Sequence, residues 1–352
     1  MKTFISLFAL FLSLSLAAQT NPATWYLNDG SGSGIQSPTN FASGDYTIAM
    51  GYETTASGYV STAMGSGTTA SGFYSTAIGI DTVASGQSST AIGANTTASE
   101  SSSTAMGNST TASGESSTAM GYDTNAEGHY STAFGYETKA ADFHSTAMGY
   151  KTTASELNST AMGDSTTASG ESSTAMGAGT TATGRYSTAS GFGTNAIDFG
   201  SFVIGIYNQS NTPIGLGSYT FKPSLDAFVI GNGTSSVSRS NALVVKFNGE
   251  TTLAGNLHVN SDARLKSNIV SLGSTLAKLL QIDGKSYTMK KDESEKQKIG
   301  LLAQDIEKVF PELVSESHGI KSVNYQGLVP VLINALKEQE ERIKRLEELL
   351  LD

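Results

Sequence analysis

No cysteine occurs among the 352 residues, which excludes a disulfide framework, a thiolate metal site and a cysteine nucleophile in any redox compartment. Proline is scarce as well: of six in the chain, none lies between residues 39 and 212, so nothing there interrupts a backbone hydrogen-bond ladder. Charged side chains make up only 15% of residues and lean acidic, with a formal charge of −10 at pH 7. Such a chain has no basic surface with which to release counterions from a nucleic acid, so nucleic acid is not an expected partner. His129, His144, His258 and His318 are scattered without ligand spacing, and the residues call for neither a metal nor a cofactor. Beyond the amino terminus there is no apolar run of membrane length, so the mature chain is expected to have no membrane span.

That amino terminus is distinctive. Met1-Lys2-Thr3 precedes the apolar stretch Phe4 to Leu16 and then Ala17-Ala18-Gln19. A positive charge, a short apolar core and a small residue before the cut describe a signal peptide over residues 1–18, followed by an amino-terminal segment 19–40. With no cysteine after the cut, a lipoprotein anchor is excluded, and a secreted or cell-surface location is expected.

Charge is unevenly spread. Residues 1–260 hold 7 basic and 16 acidic side chains, whereas residues 261–352 hold 14 and 15 in about a third of the length. Two materials meet near residue 260.

The first material is repetitive. Glycine recurs every 14 residues from Gly51 through Gly65 and Gly79 to Gly205, in half of the copies closing the string Ser-Thr-Ala-Met-Gly, as at Ser61–Gly65 and Ser173–Gly177. Thr-Ala-Ser-Gly follows seven residues behind, as at Thr69–Gly72 and Thr111–Gly114. So short a fixed period over residues 41–205 predicts a solenoid in which each repeat is one coil. Fourteen residues accommodate two strands of four or five residues and two turns. Coils about 4.8 Å apart in a parallel sheet would stack to roughly 55 to 60 Å. Stacking in register places Thr54, Thr68 and their equivalents to Thr194 in one column, where their hydroxyls and methyls are expected to form ladders. Ala63 and its equivalents form a second column, with Thr62 and Met64 on the opposite face of the strand. Because the alanine column is thin, the Met and Ile columns are expected to pack against other copies. A threonine column on a flat face is also the pattern of a surface that binds an ordered ligand such as ice. Outward positions such as Tyr52, Glu53, Asp123, Tyr136, Lys151 and Asp164 vary between copies, so no repeated chemical site is visible.

These strings resemble the head repeats of trimeric autotransporter adhesins, the left-handed parallel β-roll of the YadA type. The matching residues are Ser75–Gly79 and Ser89–Gly93, with Ala70–Gly72 and Ala84–Gly86. The resemblance implies a homotrimer of β-rolls; the carboxyl terminus shows none of that family's β-barrel anchor.

Residues 206–260 lose the period but keep strand-like runs. Ser201–Gly205 and Ala227–Gly231 share Phe-Val-Ile-Gly, and Ala242–Phe247 runs into an Asn248-Gly249 turn. A β connector is expected.

The second material opens with Ser261-Asp262-Ala263-Arg264-Leu265-Lys266. On spacing alone, a serine here is a cap or turn residue and the lysine a solvated one. Downstream stand Ile299-Gly300-Leu301-Leu302-Ala303-Gln304-Asp305-Ile306, then Val323-Asn324-Tyr325-Gln326-Gly327 and a long helical pattern. This ordered set resembles the intramolecular chaperone auto-processing domain found at the ends of phage endosialidase tailspikes, phage tail fibres and the myelin regulatory factor. The resemblance covers 261–352 and implies a trimeric chaperone that helps a β-rich stalk assemble and then cuts itself off. Carried onto this chain, the cut falls between Asn260 and Ser261, Ser261 is the nucleophile and Lys266 the general base. The chemistry suits these types: the Ser261 hydroxyl is covalently held beside the Asn260 carbonyl, so attack needs orientation more than binding, and a hydroxyl needs a base at neutral pH. Lysine serves only when neutral, which burial or a nearby cation promotes. Arg264 is a candidate for that cation, and an ion pair with Asp262 is its alternative role.

Val329, Leu332, Leu336, Gln339, Ile343, Leu346 and Leu350 alternate spacings of three and four, the a/d seam of a coiled coil over 330–352. A helix packed on its own domain is the alternative. The sequence therefore reads as a mainly β protein, a trimeric left-handed β-roll of 14-residue coils followed by a small α/β chaperone domain ending in a coiled-coil helix. Its expected function is a secreted trimeric fibre or adhesin-like protein that self-cleaves once, as a single-turnover serine endopeptidase. The competing reading is a non-catalytic structural or surface-binding fibre whose end domain only trimerises. For the rod the partner class left open is a cell-surface or glycan ligand.

Overall fold

Residues 39–210, 219–290 and 296–351 are described by the computed structural model; the signal peptide and most of the segment 19–40 lie outside them. The chain divides into two compact units, one ending at Leu257 and the other running from His258.

The first unit is a parallel β-solenoid. Each coil contributes one five-residue strand, such as Thr104–Asn108, and one two-residue strand, such as Thr111–Ala112. The long strands stack into a 15-stranded sheet and the short ones into a 12-stranded sheet. Register is one-to-one: Thr104 faces Thr118, Ala105 faces Ala119 and Gly107 faces Gly121. From Ala56 to Ala196 every seventh residue is an alanine at 0% exposure, and the Thr54-type and Ser61-type columns are buried beside them. A coil is thus two seven-residue halves that present the same small residues inward. Small side chains are what let two facing sheets close over so short a circuit.

Two expectations are corrected. The second strand has two residues instead of four or five, because the second N–H after it leaves the ladder: Gly72 doubles onto Ala84 O at 3.2 Å beside Ser71 at 3.0 Å, and Asp142 and Glu156 turn to Ser145 and Ser159 Oγ at 3.2 Å. The threonine hydroxyls form no ladder either; Oγ1 of Thr68, Thr82, Thr96, Thr110 and their equivalents to Thr194 is buried with no hydrogen-bond partner. Register explains it. Equivalent atoms in neighbouring coils repeat at the strand spacing of about 4.8 Å, too far for a hydroxyl pair that needs about 2.8 Å. Burial also removes this column as a binding face for an ordered ligand.

Amide side chains end the column where hydroxyls cannot. Asn40 and Asn208 occupy the positions one coil before Thr54 and one coil after Thr194. Asn40 Oδ1 accepts from Thr54 N and Oγ1 at 3.2 and 2.9 Å. At the other end Asn208 replaces a missing strand: Oδ1 accepts from Asn195 N at 2.7 Å and Nδ2 donates to Asn195 O at 2.9 Å.

The connector continues the solenoid. Phe202, Val203, Ile204 and Gly205 pair in parallel register with Phe228, Val229, Ile230 and Gly231, so the repeated Phe-Val-Ile-Gly string marks one more rung, displaced from the 14-residue beat. Asn241–Lys246 and Thr251–Leu253 then add antiparallel strands.

The second unit is built on Ile306, Phe310 and Val331, with Leu279, Ile282, Leu301, Val309, Leu313, Val314 and Val323 packed around them. Its helices are α1 (Leu276–Leu279), α2 (Ala303–Val309) and α3 (Leu328–Leu351). Two hairpins complete it, Lys285–Tyr287 with Lys298–Gly300 and Val314–Ser317 with Ile320–Val323. Pro330 lies in the first turn of α3, where its missing N–H leaves no bond unmade. Leu328, Val331 and Ala335 form the buried stripe of that helix. Val329, Leu332, Leu336, Ile343, Leu346 and Leu350, the heptad positions, are all exposed in the single chain.

Candidate functional site

Asp262 organises the turn after the candidate cleavage point. Its carboxylate caps the 3-10 turn Ala263–Leu265 by accepting from Arg264 N at 2.9 Å, the role a short acidic side chain plays at a helix start. The same carboxylate takes the Arg264 guanidinium in a fork, Nε at 3.1 Å to both oxygens and NH2 at 2.6 Å. Those hydrogen bonds hold the Asp262 carboxyl below its ordinary range. Arg264 is therefore engaged by Asp262, the second of the two roles its position allowed.

Lys266 closes the turn, its N–H donating to Ala263 O at 3.1 Å. Its side chain then folds back over the turn, and Nζ donates to Ser261 Oγ at 2.7 Å. Two side chains five positions apart are thereby within direct proton-transfer distance, in a segment whose residues 251–272 are all exposed. Leu265, Ile269, Val270 and Leu272 are among the exposed apolar side chains here.

Downstream, the first fixed point is α1, and the residues that fix it come from α3. Thr275 Oγ1 donates to Val331 O at 2.8 Å, and Asn334 Nδ2 donates to Gly273 O at 3.3 Å. Glu338 accepts from Ser274 Oγ at 2.6 Å, from Leu276 N at 3.1 Å and from Thr275 N. No local pattern in the sequence marks Glu338, which lies more than sixty residues from the groups it holds.

Three of the four histidines make local contacts: His129 stacks on Phe143 at 4.8 Å, His144 on Tyr130 at 5.1 Å, and His318 hydrogen-bonds Ser317 in a hairpin turn; His258 is exposed. Among the described residues no group of three or more His, Cys, Asp or Glu is gathered as a metal site would require, and no helix is long and apolar enough to cross a membrane.

Two family models match. The one described as chaperone of endosialidase covers residues 261–315, and the YadA head domain repeat matches seven times between residues 42 and 194. The chain thus carries YadA-type head repeats followed by an endosialidase-type chaperone domain. It is also similar to long tail fiber proteins Gp37: 30% identical over 135 residues to that of Enterobacteria phage K3, covering 34% of this chain and 11% of that protein. For Enterobacteria phage T2 the figures are 31% over 106 residues, 28% and 8%, and for Salmonella phage S16 31% over 124 residues, 31% and 17%. The chain spans between 8% and 17% of the length of these relatives.

Proposed function

We propose that the chain is a secreted, homotrimeric fibre or adhesin-like protein whose terminal chaperone assists assembly and then cuts the chain once, between Asn260 and Ser261. The division that goes with it is a signal peptide at 1–18, coils over 41–205, a connector at 206–260 and the chaperone at 261–352. The observation that carries the proposal is the 2.7 Å contact between Lys266 Nζ and Ser261 Oγ, in a turn that Asp262 and Arg264 stiffen.

In the reaction the direction of that bond reverses. A neutral Lys266 accepts the hydroxyl proton while oxygen attacks the Asn260 carbonyl carbon, either Ser261 Oγ itself or a water activated through it. The C–N bond to Ser261 then breaks, and its nitrogen recovers a proton from Lys266; where Oγ was the attacking atom this leaves an ester between Asn260 and Ser261, which a water then hydrolyses, returning the hydroxyl to Ser261. The net change is one water consumed, a new carboxyl on Asn260 and a new amine on Ser261. Neutral lysine requires burial or a neighbouring cation. With Arg264 held by Asp262, burial is the remaining route, and closure of three chains around the exposed turn would supply it. Cutting would then wait for assembly.

The non-catalytic reading draws on the same exposure, since an open dyad in the single chain is not a finished active site. One substitution separates the two. The full chain should yield a fragment of residues 261–352 on a denaturing gel, with Ser261 at its new amino terminus by mass spectrometry. Ser261→Ala should run intact. A terminal fragment from Ser261→Ala, or an intact wild-type chain in assembled trimers, would overturn the proposal.

A further inference from the structure

Glu338 is unusual in what it does for another element. The helix α1 has only four residues, far short of the length at which an isolated helix holds itself. Its own start carries two hydroxyl residues, yet neither caps it: Thr275 makes no side-chain cap bond. Ser274 donates its hydroxyl to Glu338, and Thr275 donates its own to Val331 O. The free N–H groups of Thr275 and Leu276 are met by the Glu338 carboxylate. A cap that sequence would place locally is supplied from α3.

This clasp, with the Asn334 bond to Gly273 O just before it, is the first anchorage downstream of the dyad. Residues 267–272 between them are exposed and belong to no helix or strand, so Gly273 and Ser274 are where the chain leading from Lys266 becomes fixed. Glu338 is also placed to connect the clasp with assembly. It extends the stripe Leu328, Val331, Ala335 by one step, and its neighbour Gln339 belongs to the exposed heptad seam. A helix that shifts or frays when its seam is uncovered moves the clasp with it.

We propose that Glu338 is a positioning residue for self-cleavage, fixing the downstream end of the Ser261–Lys266 segment on α3 so that the placement of the dyad depends on that helix. This rests on the self-cleaving reading above. The charge state fits the role: the Ser274 hydroxyl, then the Thr275 and Leu276 N–H groups and Arg342, keep the Glu338 carboxyl below its ordinary range. Arg342 is the charged partner acting on it, from its own helix; the α1 side presents neutral donors. Since the carboxyl is depressed, the clasp is intact above the ordinary glutamate range and is lost only as pH falls through the lowered value.

The test is Glu338→Gln in the full chain, beside wild type and Ser261→Ala. The amide keeps the size of the side chain but turns two donor hydrogens toward a site made of donors. The expected result is a trimer by sedimentation, a cleavage rate at least tenfold lower at every pH above the ordinary glutamate range, and the midpoint of the pH–rate profile unmoved. An unmoved midpoint separates positioning from an electrostatic effect on Lys266. Glu338→Asp, too short to span the same donors, should be slowed as well, and Lys337→Gln beside it should cut at the wild-type rate. Wild-type rates from Glu338→Gln trimers would overturn the inference and leave the dyad standing. Cleavage by Ser261→Ala would instead overturn the dyad. If Glu338→Gln fails to form trimers, the Ser274→Ala chain, which loses one donor of the clasp, decides: an unchanged rate in its trimers refutes the positioning role.

Discussion

Gly121→Ala and Gly128→Ala place the same methyl group in two columns of the solenoid that differ in backbone angle. A Cβ on Gly121 would stand 1.9 Å from Gly135 O, and one on Gly128 would stand 1.9 Å from Asp142 O. On distance alone the two are equal. The protein's own coils say otherwise, since the Gly128 column holds Glu100, Asp142, Glu156 and Asp198 in other copies, whereas the Gly121 column is glycine throughout. The difference is φ, +133° at Gly121 and between +98° and +133° at its equivalents from Gly51 to Gly205, a region that only glycine adopts freely. Where Asp142 and Glu156 stand, the N–H turns to Ser145 or Ser159 Oγ at 3.2 Å, while Gly128 donates to Ala140 O at 3.3 Å. Gly128→Ala therefore exchanges one long bond for another and should cost about 1 kcal/mol or less. Gly121→Ala carries about 1–3 kcal/mol of backbone strain, and opening the coil to relieve the overlap breaks two or three ladder bonds at about 1 kcal/mol each. The expected loss is about 3–6 kcal/mol, confined to neighbouring coils because solenoid stability is nearly a nearest-neighbour sum. Thermal unfolding followed by circular dichroism, with limited proteolysis mapped by mass spectrometry, reads both quantities. Gly121→Ala should melt well below Gly128→Ala and acquire a cut near coil 121–135. Equal melting temperatures would refute the claim that φ, and not proximity, fixes glycine in this column.

Other perturbations address separate parts of the chain. Thr110→Val replaces a buried hydroxyl that has no partner by a methyl of the same shape, and should raise stability by about 1 kcal/mol; a lower melting temperature would mean the hydroxyl is bonded after all. Asn208→Ala leaves the Asn195 N–H and C=O unpaired at the end of the short-strand sheet, which at about 1 kcal/mol per bond should speed amide exchange at Asn195 while sparing Thr110. Lys266→Arg keeps the positive charge but cannot become neutral in the working pH range, so cleavage should stop and stay absent at raised pH. Recovery of the fragment from that variant at high pH would contradict a lysine base.

Much of the solenoid was legible because its register is one-to-one: with Thr104 over Thr118 and Ala105 over Ala119, a column in the sequence is a column in space. What was not legible depends on hydrogen-bond geometry that composition does not carry. The short strand stops because the second N–H after it leaves the ladder, doubling onto Ala84 O at Gly72 and turning to Ser145 Oγ at Asp142, and nothing in Thr-Ala-Ser-Gly announces that. The extra rung at Phe228 was signalled by its copied string, but the intervening residues hid the beat. In the second unit, Ser261 and Lys266 stood out through a motif resemblance, since their spacing alone describes a capped turn. The clasp was invisible because Ser274 and Glu338 meet only after α3 is packed on α1, which joins residues with no shared local pattern.

The two faces of α3 bear on the proposal that the chain assembles with copies of itself. A core of alanine, serine and threonine buries little apolar surface per coil, and the Met64-type column on the outer face of the long strands stays half-exposed in one chain. The heptad seam of α3 is uncovered too, while Val331 and Ala335 of the same helix are already buried at home. A helix packed only on its own unit explains the second face and leaves the first unexplained. Three chains meeting along the seam would cover it. Leu346 lies beyond the last buried position of α3, so Leu346→Glu can disturb the seam without touching the core of the unit. Three carboxylates brought together there should dissociate the trimer, lower the sedimentation coefficient to that of a single chain, and suppress cleavage with the circular dichroism of the monomer retained. An unchanged sedimentation coefficient would refute the seam as the trimer contact, and full cleavage in a proven monomer would refute the claim that the dyad waits for assembly.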